Sequence, residues 1–306
     1  MGESVKLVTQ TPAGASGEYP FPVVRRPGMR ELIGLVRWCD VFWHNNLSIR
    51  TAWPLLFVRR PFVITHAGSY CAKPVGIDLV NRLKHAVVTR AVSVAMNKPV
   101  ADCFKATSVI IPNPYDARVF TGRPMRTERE GDLVFLGRLF TEKGLDVLIR
   151  ALGHLRSDGR RPSLTVVGAG PEQIPMQELA RALGIQDQVR FVGPKRGAEI
   201  AEVLSHHKIM VLPSRYESFG VAALEGIACG CVIVGSRVGG LSETIGPCGL
   251  MFPNGDAPAL GELLCKLLND PAEQQRLVAA GPGHLARFHP ATVANSYLEL
   301  FRSRLA

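Results

Sequence analysis

Two glutamates eight residues apart are the side chains whose spacing most directly suggests chemistry. Glu217 and Glu225 flank the sequence Ser218-Phe219-Gly220, which follows an apolar run typical of a buried strand. If the next residues form a helix, the backbone N–H groups of Ser218, Phe219 and Gly220 point out of its N-terminus, where an anion is favoured. Glu217 then lies at the mouth of the site, with Glu225 two turns deeper. The pattern predicts a ligand with a phosphate at one end and hydroxyl groups at the other, such as a nucleotide sugar.

Two cations earlier in the chain suit the charge of a diphosphate. Arg138 follows a predicted strand, and Lys143 lies at the start of the predicted helix after it. Arginine binds phosphate oxygens in a bidentate way, and a lysine this early in a helix is unfavourable to the helix dipole unless an anion is nearby. Surface charges that flank a helix are the alternative interpretation. The adjoining glycines favour phosphate binding.

The second half of the chain alternates apolar runs with amphipathic segments, which predicts the elements that position these groups. Strands are predicted at 133–137, 164–168, 189–192, 209–212 and 232–235, and helices at 143–157, 173–183, 198–206, 219–228 and 257–268. This pattern indicates an α/β fold with a parallel sheet covered on both faces, in which ligands bind beyond the carboxyl ends of the strands. The first half shows a weaker form of it, with strands predicted at 5–9, 41–44, 62–66, 92–95 and 109–111.

Taken together, these segments resemble the paired-glutamate motif of retaining glycosyltransferases with the GT-B fold, specifically glycosyltransferase family 4 (group 1). Further segments agree in order and spacing, namely residues 135–138 with 142–144, 166–171, 191–193 and 239–243. The match covers residues 133–252 strongly and 109–120 moderately. Each motif alone is a weak signal, but the set is a strong one. The resemblance implies two Rossmann-like domains whose parallel sheets face a cleft.

The resemblance also implies a reaction, the transfer of a hexose from a nucleoside diphosphate sugar with retention of configuration. The acceptor is expected in a polysaccharide, glycolipid or cell-envelope pathway. Arg138 and Lys143 are expected to bind the diphosphate, Glu217 the hexose hydroxyls and Glu225 the ribose hydroxyls. His66, at the end of a predicted strand, resembles the histidine that faces the C6 region of the sugar. Neither glutamate is expected to be a covalent nucleophile, because a departing phosphate oxygen helps to deprotonate the acceptor on the same face.

The remaining expected donor contacts are made largely by backbone groups next to glycines. They are Gly137, Gly168, Gly193, Lys195, Ser218, Phe219 and Gly220. The segment from Val192 to Lys195 is expected to pass the nucleobase. On the acceptor side, His44 ends another predicted strand and Asn45 follows it. A structural role is the alternative for either histidine.

The resemblance predicts a division of the chain into two domains. Residues 1–120, with a final helix from 291 that packs back on them, form the acceptor-side domain; 121–132 form a linker, and 133–290 the nucleotide-sugar domain. The strand at 5–9 resembles the second strand of the family, so a shortened N-terminal domain without the usual first βα unit is expected. That expectation favours an alternative, a non-catalytic nucleotide-sugar-binding protein, which the complete set of phosphate and glutamate motifs opposes.

Charge and composition limit the other partners. Residues 1–120 carry 15 Lys and Arg against 7 Asp and Glu, a large part of the net charge of +10. Such a half attracts an anionic membrane surface or a phosphorylated acceptor, although a solvated basic face is the simpler interpretation of any single pair such as Arg25-Arg26 or Arg59-Arg60. No known nucleic-acid-binding module is recognisable. Without an Asp-x-Asp pair after an apolar strand, neither a divalent metal nor another cofactor is expected, since cations and helix N-termini neutralise the diphosphate.

Several other classes are disfavoured or left as alternatives. No apolar run is long enough to span a bilayer and no secretory leader is recognisable, so a cytoplasmic protein is expected, peripheral on the inner face of the membrane if the basic half binds lipid. Seven cysteines without a Cys-x-x-Cys pair favour reduced thiols. A nucleotide-sugar epimerase of the same fold stays an alternative. The Gly168-Ala169-Gly170 turn lacks the third glycine and the acidic residue of a dinucleotide oxidoreductase.

Overall fold

The computed structural model describes residues 3–12, 19–46, 48–66, 89–102, 108–120 and 129–305. The chain divides into two units. The first unit consists of Met1–Ala95, Cys103–Ile110 and Leu298–Ala306, and the second of Met96–Asp102 and Ile111–Tyr297. This division differs from the predicted boundaries at 120 and 133, because the second unit resumes at Ile111 and includes the short segment Met96–Asp102. Of the predicted linker, residues 121–128 lie outside the described part of the chain.

The first unit holds two parallel sheets within its described residues. Strand β1 (Leu7–Thr9) pairs with β2 (Val23–Arg25). The second sheet has the order β3 (Phe42–Asn45), β4 (Phe62–His66), β5 (Val92–Ala95) and β6 (Ser108–Ile110). The helices between them are α1 (Met29–Trp38) and α2 (Ile49–Ala52). The sequence predicts these strands to within two residues, except β2, whose three residues are too few to show a periodicity.

The core of the first unit forms where β4 packs against the helices. All five residues of β4 are buried, as expected for a central strand covered on both faces. Its apolar cluster joins β4 to α1 and to the turn after α2 and contains Val36, Ala52, Leu55, Phe62 and Ile64. The Arg60 guanidinium donates hydrogen bonds to the carbonyls of Val36 and Arg37 at the C-terminus of α1. A cation there satisfies carbonyls that have no partner within the helix.

The second unit is a succession of strands and helices. After α3 (Lys98–Asp102), its strands are β7 (Gly131–Leu136), β8 (Leu164–Val167), β9 (Val189–Phe191), β10 (His207–Leu212), β11 (Val232–Ser236) and β12 (Gly249–Phe252). Its further helices are α4 (Leu145–Ser157), α5 (Gln173–Ala182), α6 (Ala198–Ser205), α7 (Val221–Ala228), α8 (Leu241–Ile245), α9 (Ala257–Leu268), α10 (Pro271–Ala279) and α11 (Gly281–Leu285). The last helix, α12 (Pro290–Arg302), belongs to the second unit as far as Tyr297 and then to the first.

The six strands of the second unit form one parallel sheet with the order β12-β11-β10-β7-β8-β9. The chain starts at β7 in the middle, builds outward through β8 and β9, and then returns to the other side of β7 with β10. The strand order therefore reverses between β7 and β10. In open α/β sheets, ligands bind beyond the carboxyl ends of the strands at such a switch point.

Burial of the sheet on both faces explains why its strands are continuous apolar runs. Every residue of β8 and of β11 is buried, and a single apolar cluster connects the sheet with α4 and α9. Helix α4 contributes seven buried residues to the second unit. Deleting one large side chain from such a cluster typically costs about 2–5 kcal/mol. This rigid sheet holds the loops at its carboxyl edge.

Several details differ from the sequence-based predictions. The helix predicted at 219–228 begins at Val221, because Gly220 has a left-handed backbone (φ 88°) that a helix cannot continue. The helix predicted to start at Lys143 begins at Leu145, after a 3₁₀ turn at Thr141–Lys143. Strand β12 was not predicted, and residues 131 and 132 of the predicted linker belong to β7.

Candidate active site

A cavity of about 300 Å³ lies at the carboxyl edge of the second unit, where β7 and β10 end. Six of the predicted site residues line it: Gly137, Arg138, Lys143, Glu217, Gly220 and Glu225. The other lining residues are Phe135, Leu136, Ile200, Leu212, Ser214 and Ala222, which the sequence did not single out. The cavity therefore coincides with the switch point of the sheet, and it brings together residues up to 90 positions apart in the chain.

The loop after β7 supplies the two cations. Arg138 is exposed and lies over the ring of Phe140, with its guanidinium 4.9 Å from the ring centroid and 3.6 Å from the Glu142 carboxylate. Lys143 ends the 3₁₀ turn, and its side chain is only 23 % exposed. Gly168 lets the next loop approach closely, since a Cβ there would lie 1.8 Å from the Gly137 carbonyl oxygen. Glycine is thus required at this edge by packing of backbone on backbone.

The loop after β10 supplies Glu217, and it meets the lysine directly. Lys143 Nζ lies 2.7 Å from Glu217 Oε2, and the glutamate side chain is 20 % exposed. A partly buried ion pair of this length is a charge-assisted hydrogen bond. The sequence predicted both residues as ligand groups but not that they contact each other.

Backbone donors in the loop before helix α7, and at its first two residues, lie at the same edge. The N–H groups of residues 218–222 donate no hydrogen bond within the described part of the chain. Because the helix begins at Val221, Ser218, Phe219 and Gly220 form the loop before it and not its first turn. Donors at a helix N-terminus favour an anion.

Glu225 is the acidic group within α7. The helix leaves it partly buried, and its carboxylate makes no hydrogen bond or ion pair with any residue that the structure describes. Burial raises the pKa of Glu225, and the charge of Asp116 raises it further. A carboxylate in this state gains from a ligand that donates hydrogen bonds to it, as sugar hydroxyl groups do.

Asn97 is a site-supporting residue that the sequence analysis missed. It is 2 % exposed, and its Nδ2 donates to the Ser218 carbonyl at 2.6 Å, while its Oδ1 accepts from the N–H of Val100 at 3.0 Å. Both polar atoms of the amide are thus used. The side chain fits only because residue 240 is glycine. A Cβ at this position would lie 1.7 Å from Asn97 Nδ2. No local pattern links residue 97 to residue 218, so nothing in the sequence indicated this contact.

Five predicted donor-contact residues do not line the cavity: Gly168, Gly193, Lys195, Ser218 and Phe219. The Ser218 carbonyl accepts a hydrogen bond from Asn97. The Lys195 ammonium lies 3.7 Å from Glu199. The Phe219 side chain is 4 % exposed and packs against Phe288 with ring centroids 6.0 Å apart, so only its backbone can meet a ligand. Their predicted donor contacts stay predictions.

The predicted acceptor-side residues and His66 belong to the first unit. His66 ends β4, is 3 % exposed, and has Nε2 3.2 Å from Ser93 Oγ; burial lowers its pKa to about 4. His44 lies in β3 with Nε2 2.6 Å from Thr51 Oγ1, and burial lowers its pKa as well. Asn45 is exposed at the end of β3. Both histidines are therefore neutral at pH 7, and their predicted contacts with ligands stay predictions.

The cavity combines two positive groups with two carboxylates and several backbone donors. Cations and N–H groups suit phosphate oxygens, whereas carboxylates suit hydroxyl groups. Among the described residues no cluster of three or more His, Cys, Asp or Glu side chains could hold a metal ion. Ligand binding without a metal stays a prediction. No helix in the described ranges is long and apolar enough to cross a membrane.

The chain belongs to the glycosyl transferases group 1 family, whose model matches residues 123–284, more than half of the chain. This confirms the resemblance drawn from the motifs. The matched region contains every second-unit residue that lines the cavity.

Curated relatives agree with the family. The D-inositol 3-phosphate glycosyltransferase of Frankia alni is 37% identical over 191 residues, which are 58% of this chain and 47% of the relative. The glycogen synthase of Mycobacterium tuberculosis is 34% identical over 217 residues, 68% of this chain and 52% of the relative. The chain thus spans about half the length of the curated relatives it matches.

Solved structures show the fold. Sucrose-phosphate synthase from Thermosynechococcus elongatus matches with a TM-score of 0.76 and 21% identity, over 97% of this chain and 88% of that one. The HepE protein of Anabaena, solved in complex with UDP-glucose, matches with a TM-score of 0.73 and 18% identity, over 92% and 86%. The α/β GT-B fold predicted from the motifs is thereby confirmed.

Proposed function

We propose that the protein transfers a hexose from a nucleoside diphosphate sugar to a saccharide or lipid-linked acceptor, with retention of configuration at the transferred carbon. The observation that supports this most is the convergence of Lys143, Arg138, Glu217 and Glu225 on one cavity at the switch point of the second unit's sheet. These groups come from two loops and a helix that no local sequence constraint brings together. Their chemistry matches the two ends of a nucleotide sugar.

The cations are proposed to stabilise the leaving group. As the glycosidic bond breaks, negative charge builds on the diphosphate, and positioned cations or N–H groups lower the barrier most where such charge develops. Arg138 can offer two parallel N–H donors to phosphate oxygens, and Lys143 a single point charge. The N–H groups from Ser218 to Ala222, which donate no hydrogen bond to any residue that the structure describes, add further donors at the same edge.

The glutamates are proposed to hold hydroxyl groups, Glu217 those of the hexose and Glu225 those of the ribose. Glu217 is paired at 2.7 Å with Lys143, and an ion-paired carboxylate is a weakened nucleophile. This favours attack by the acceptor on the same face as the departing diphosphate, whose oxygen takes the acceptor's proton. Positioning and electrostatic stabilisation then supply the rate enhancement.

The first test is a thermal-shift screen against nucleoside diphosphates and their sugars, followed by detection of transfer. A ligand that binds the folded state raises the melting temperature by mass action. UDP-glucose is the first donor to try, because the Anabaena protein was solved with it. Stabilisation by UDP-glucose and anomeric retention in the product support the proposal. Stabilisation without transfer to any acceptor would indicate a non-catalytic nucleotide-sugar-binding protein. Inversion of the anomeric configuration in the product would contradict the proposed retention.

An anionic acceptor or surface is proposed for the basic N-terminal segment, residues 1–120. The named activity of the Frankia relative includes a phosphate-bearing acceptor, and residues 1–120 carry 15 Lys and Arg against 7 Asp and Glu. Each basic residue near an anionic membrane contributes about 1 kcal/mol, so a few neighbouring ones suffice. Sedimentation with phosphatidylserine vesicles at low salt, lost at high salt and in a variant with Arg25, Arg26, Arg59 and Arg60 changed to Glu, supports a peripheral membrane role. Absence of sedimentation at low salt would direct the search to a dissolved acceptor.

A further inference from the structure

A bidentate ion pair joins the two loops that carry Lys143 and Glu217. Arg215 Nη1 donates to Asp146 Oδ1 and Nη2 to Asp146 Oδ2, each at 2.7 Å. Arg215 precedes Glu217 by two residues, and Asp146 follows Lys143 by three. The two side chains are 38 % and 25 % exposed, so the pair is largely shielded from water. Two parallel hydrogen bonds fix orientation as well as distance.

Two further hydrogen bonds join the loops on the other side of Lys143. Arg215 Nη1 also donates to the Thr141 carbonyl at 3.0 Å, and the Arg215 backbone N–H donates to the Glu142 carbonyl at 2.8 Å. Gly144 permits this approach, because a Cβ there would lie 2.0 Å from the Pro213 carbonyl oxygen. Arg215 therefore holds the chain both before and after Lys143.

Electrostatics keep the pair charged at neutral pH. Burial alone would raise the pKa of Asp146, but the hydrogen bonds and charge of Arg215 hold it below its ordinary value. The hydrogen bonding to the Asp146 carboxylate, in which Arg215 is the donor, correspondingly raises the pKa of Arg215. Neither side chain lines the cavity, so neither is placed to touch a ligand bound there.

We propose that Arg215, acting through Asp146, is a positioning residue that sets the separation between the Lys143 ammonium and the Glu217 carboxylate. The proposal deepens the function proposed above and rests on it for the identity of the ligand. Without this brace the two loops separate, and the 2.7 Å contact between Lys143 Nζ and Glu217 Oε2 is lost. The ammonium then leaves the place where a diphosphate would meet it, whereas the surroundings of Glu225 stay unchanged.

The test compares Arg215→Met and Arg215→Lys with Arg276→Met as a matched control. Arg276 also makes two 2.7 Å hydrogen bonds to one carboxylate, that of Glu273, but on helix α10 and without contact to the cavity. Dissociation constants for UDP and for uridine are measured by calorimetry. Arg215→Met is expected to weaken UDP binding about tenfold, near the low end of the loss of one charge-assisted contact, and to leave uridine binding unchanged.

The conservative variant separates position from charge. Lysine keeps the positive charge but cannot form the planar pair of hydrogen bonds or reach Thr141 at the same time. The dissociation constant of Arg215→Lys for UDP is therefore expected to lie between those of wild type and Arg215→Met. That of Arg276→Met is expected to equal the wild-type value. If Arg215→Met shows no cooperative unfolding transition in a urea titration, Asp146→Asn replaces it in the series. The Asn side chain has nearly the same shape as that of Asp.

A second readout does not depend on any ligand. The rate at which an amine-reactive ester modifies Lys143, followed by mass spectrometry of the peptide, reports whether its ammonium is engaged by Glu217. Faster modification in the Arg215 variants, with weaker UDP binding, supports the brace. Faster modification with no UDP binding even by wild type supports the brace and overturns the proposed donor. An unchanged modification rate in folded Arg215→Met overturns the brace and leaves the proposed function standing.

Discussion

In the second unit, four predicted ligand groups share one cavity, whereas in the first unit each predicted histidine is hydrogen-bonded to a neighbouring hydroxyl group. Glu225 has no partner among the described residues, and Lys143 and Glu217 engage only each other. By contrast, His66 lies against Ser93 and His44 against Thr51. A partly buried carboxyl group without a partner, as at Glu225, is stabilised by a ligand that hydrogen-bonds to it. The Nε2 atoms of both histidines therefore need no ligand, whereas the buried Nδ1 of His44 has no hydrogen-bond partner among the described residues.

The comparison therefore ranks the assignments. The second-unit site is supported by geometry that a purely structural explanation does not require. The first-unit residues rest on the resemblance to the family alone. Variants that separate ligand binding from folding can strengthen or reverse this ranking.

The largest effect is expected from Lys143→Ala. Removal of the ammonium should weaken binding of UDP roughly ten- to a hundredfold and spare uridine, because the lost partner is a phosphate. Lys208→Ala is the matched control, since Lys208 Nζ also lies 2.9 Å from a carboxylate, that of Asp132, but near the opposite ends of the strands. Calorimetry measures both ligands. An equal loss for UDP and uridine would show that Lys143 does not meet the diphosphate.

Variants of the two glutamates should weaken binding of different ligands. Glu225→Gln is expected to weaken binding of both UDP and uridine by about tenfold, as for loss of a hydrogen bond to a charged group. Glu217→Gln should leave UDP binding unchanged, since the amide oxygen can still accept from Lys143, and should weaken binding of UDP-glucose. Competition binding with the three ligands measures this. The same pattern for both variants would contradict the assignment of ribose to one and hexose to the other.

These loops show most clearly which features of the site could be predicted from the sequence and which could not. The motifs located Arg138, Lys143, Glu217 and Glu225 because these residues lie in the loops and the helix that follow strands with visible apolar runs. The switch point of the sheet gathers such positions. Sequence could not show the bracing contacts, which join residues 69 and 121 positions apart. It also misplaced the start of α7, since the left-handed backbone at Gly220 is set by tertiary packing and not by the local pattern.

Asn97 provides a weaker perturbation of the same site from outside the motifs. Asn97→Asp has nearly the same shape but replaces the donor to the Ser218 carbonyl with a carboxylate oxygen, which repels it. Loss of a buried hydrogen bond with a donor removed typically costs about 1–3 kcal/mol. Faster hydrogen exchange in residues 216–224 is expected. Asn269→Asp is the control, because its amide also donates to a backbone carbonyl, that of Cys265, on the exposed end of α9. An unchanged rate of hydrogen exchange in residues 216–224 would show that Asn97 does not stabilise this loop.

The smallest effect is expected on the pH dependence of the first unit's stability against unfolding. Burial lowers the pKa of His66 from 6.5 to about 4. Between these values the unfolded chain binds a proton at this residue and the folded chain does not, so stability is full above the unfolded pKa and falls as pH decreases towards the folded one. The protein's three tryptophans, Trp38, Trp43 and Trp53, all lie in the first unit, so their fluorescence in urea titrations follows that unit. His66→Gln should flatten the decline between about pH 6.5 and 4, whereas His154→Gln, on an exposed position of α4, should leave it unchanged. If His66→Gln keeps the full slope, burial of this histidine is not what limits the first unit in acid, and a role for it in ligand binding gains weight against a packing role.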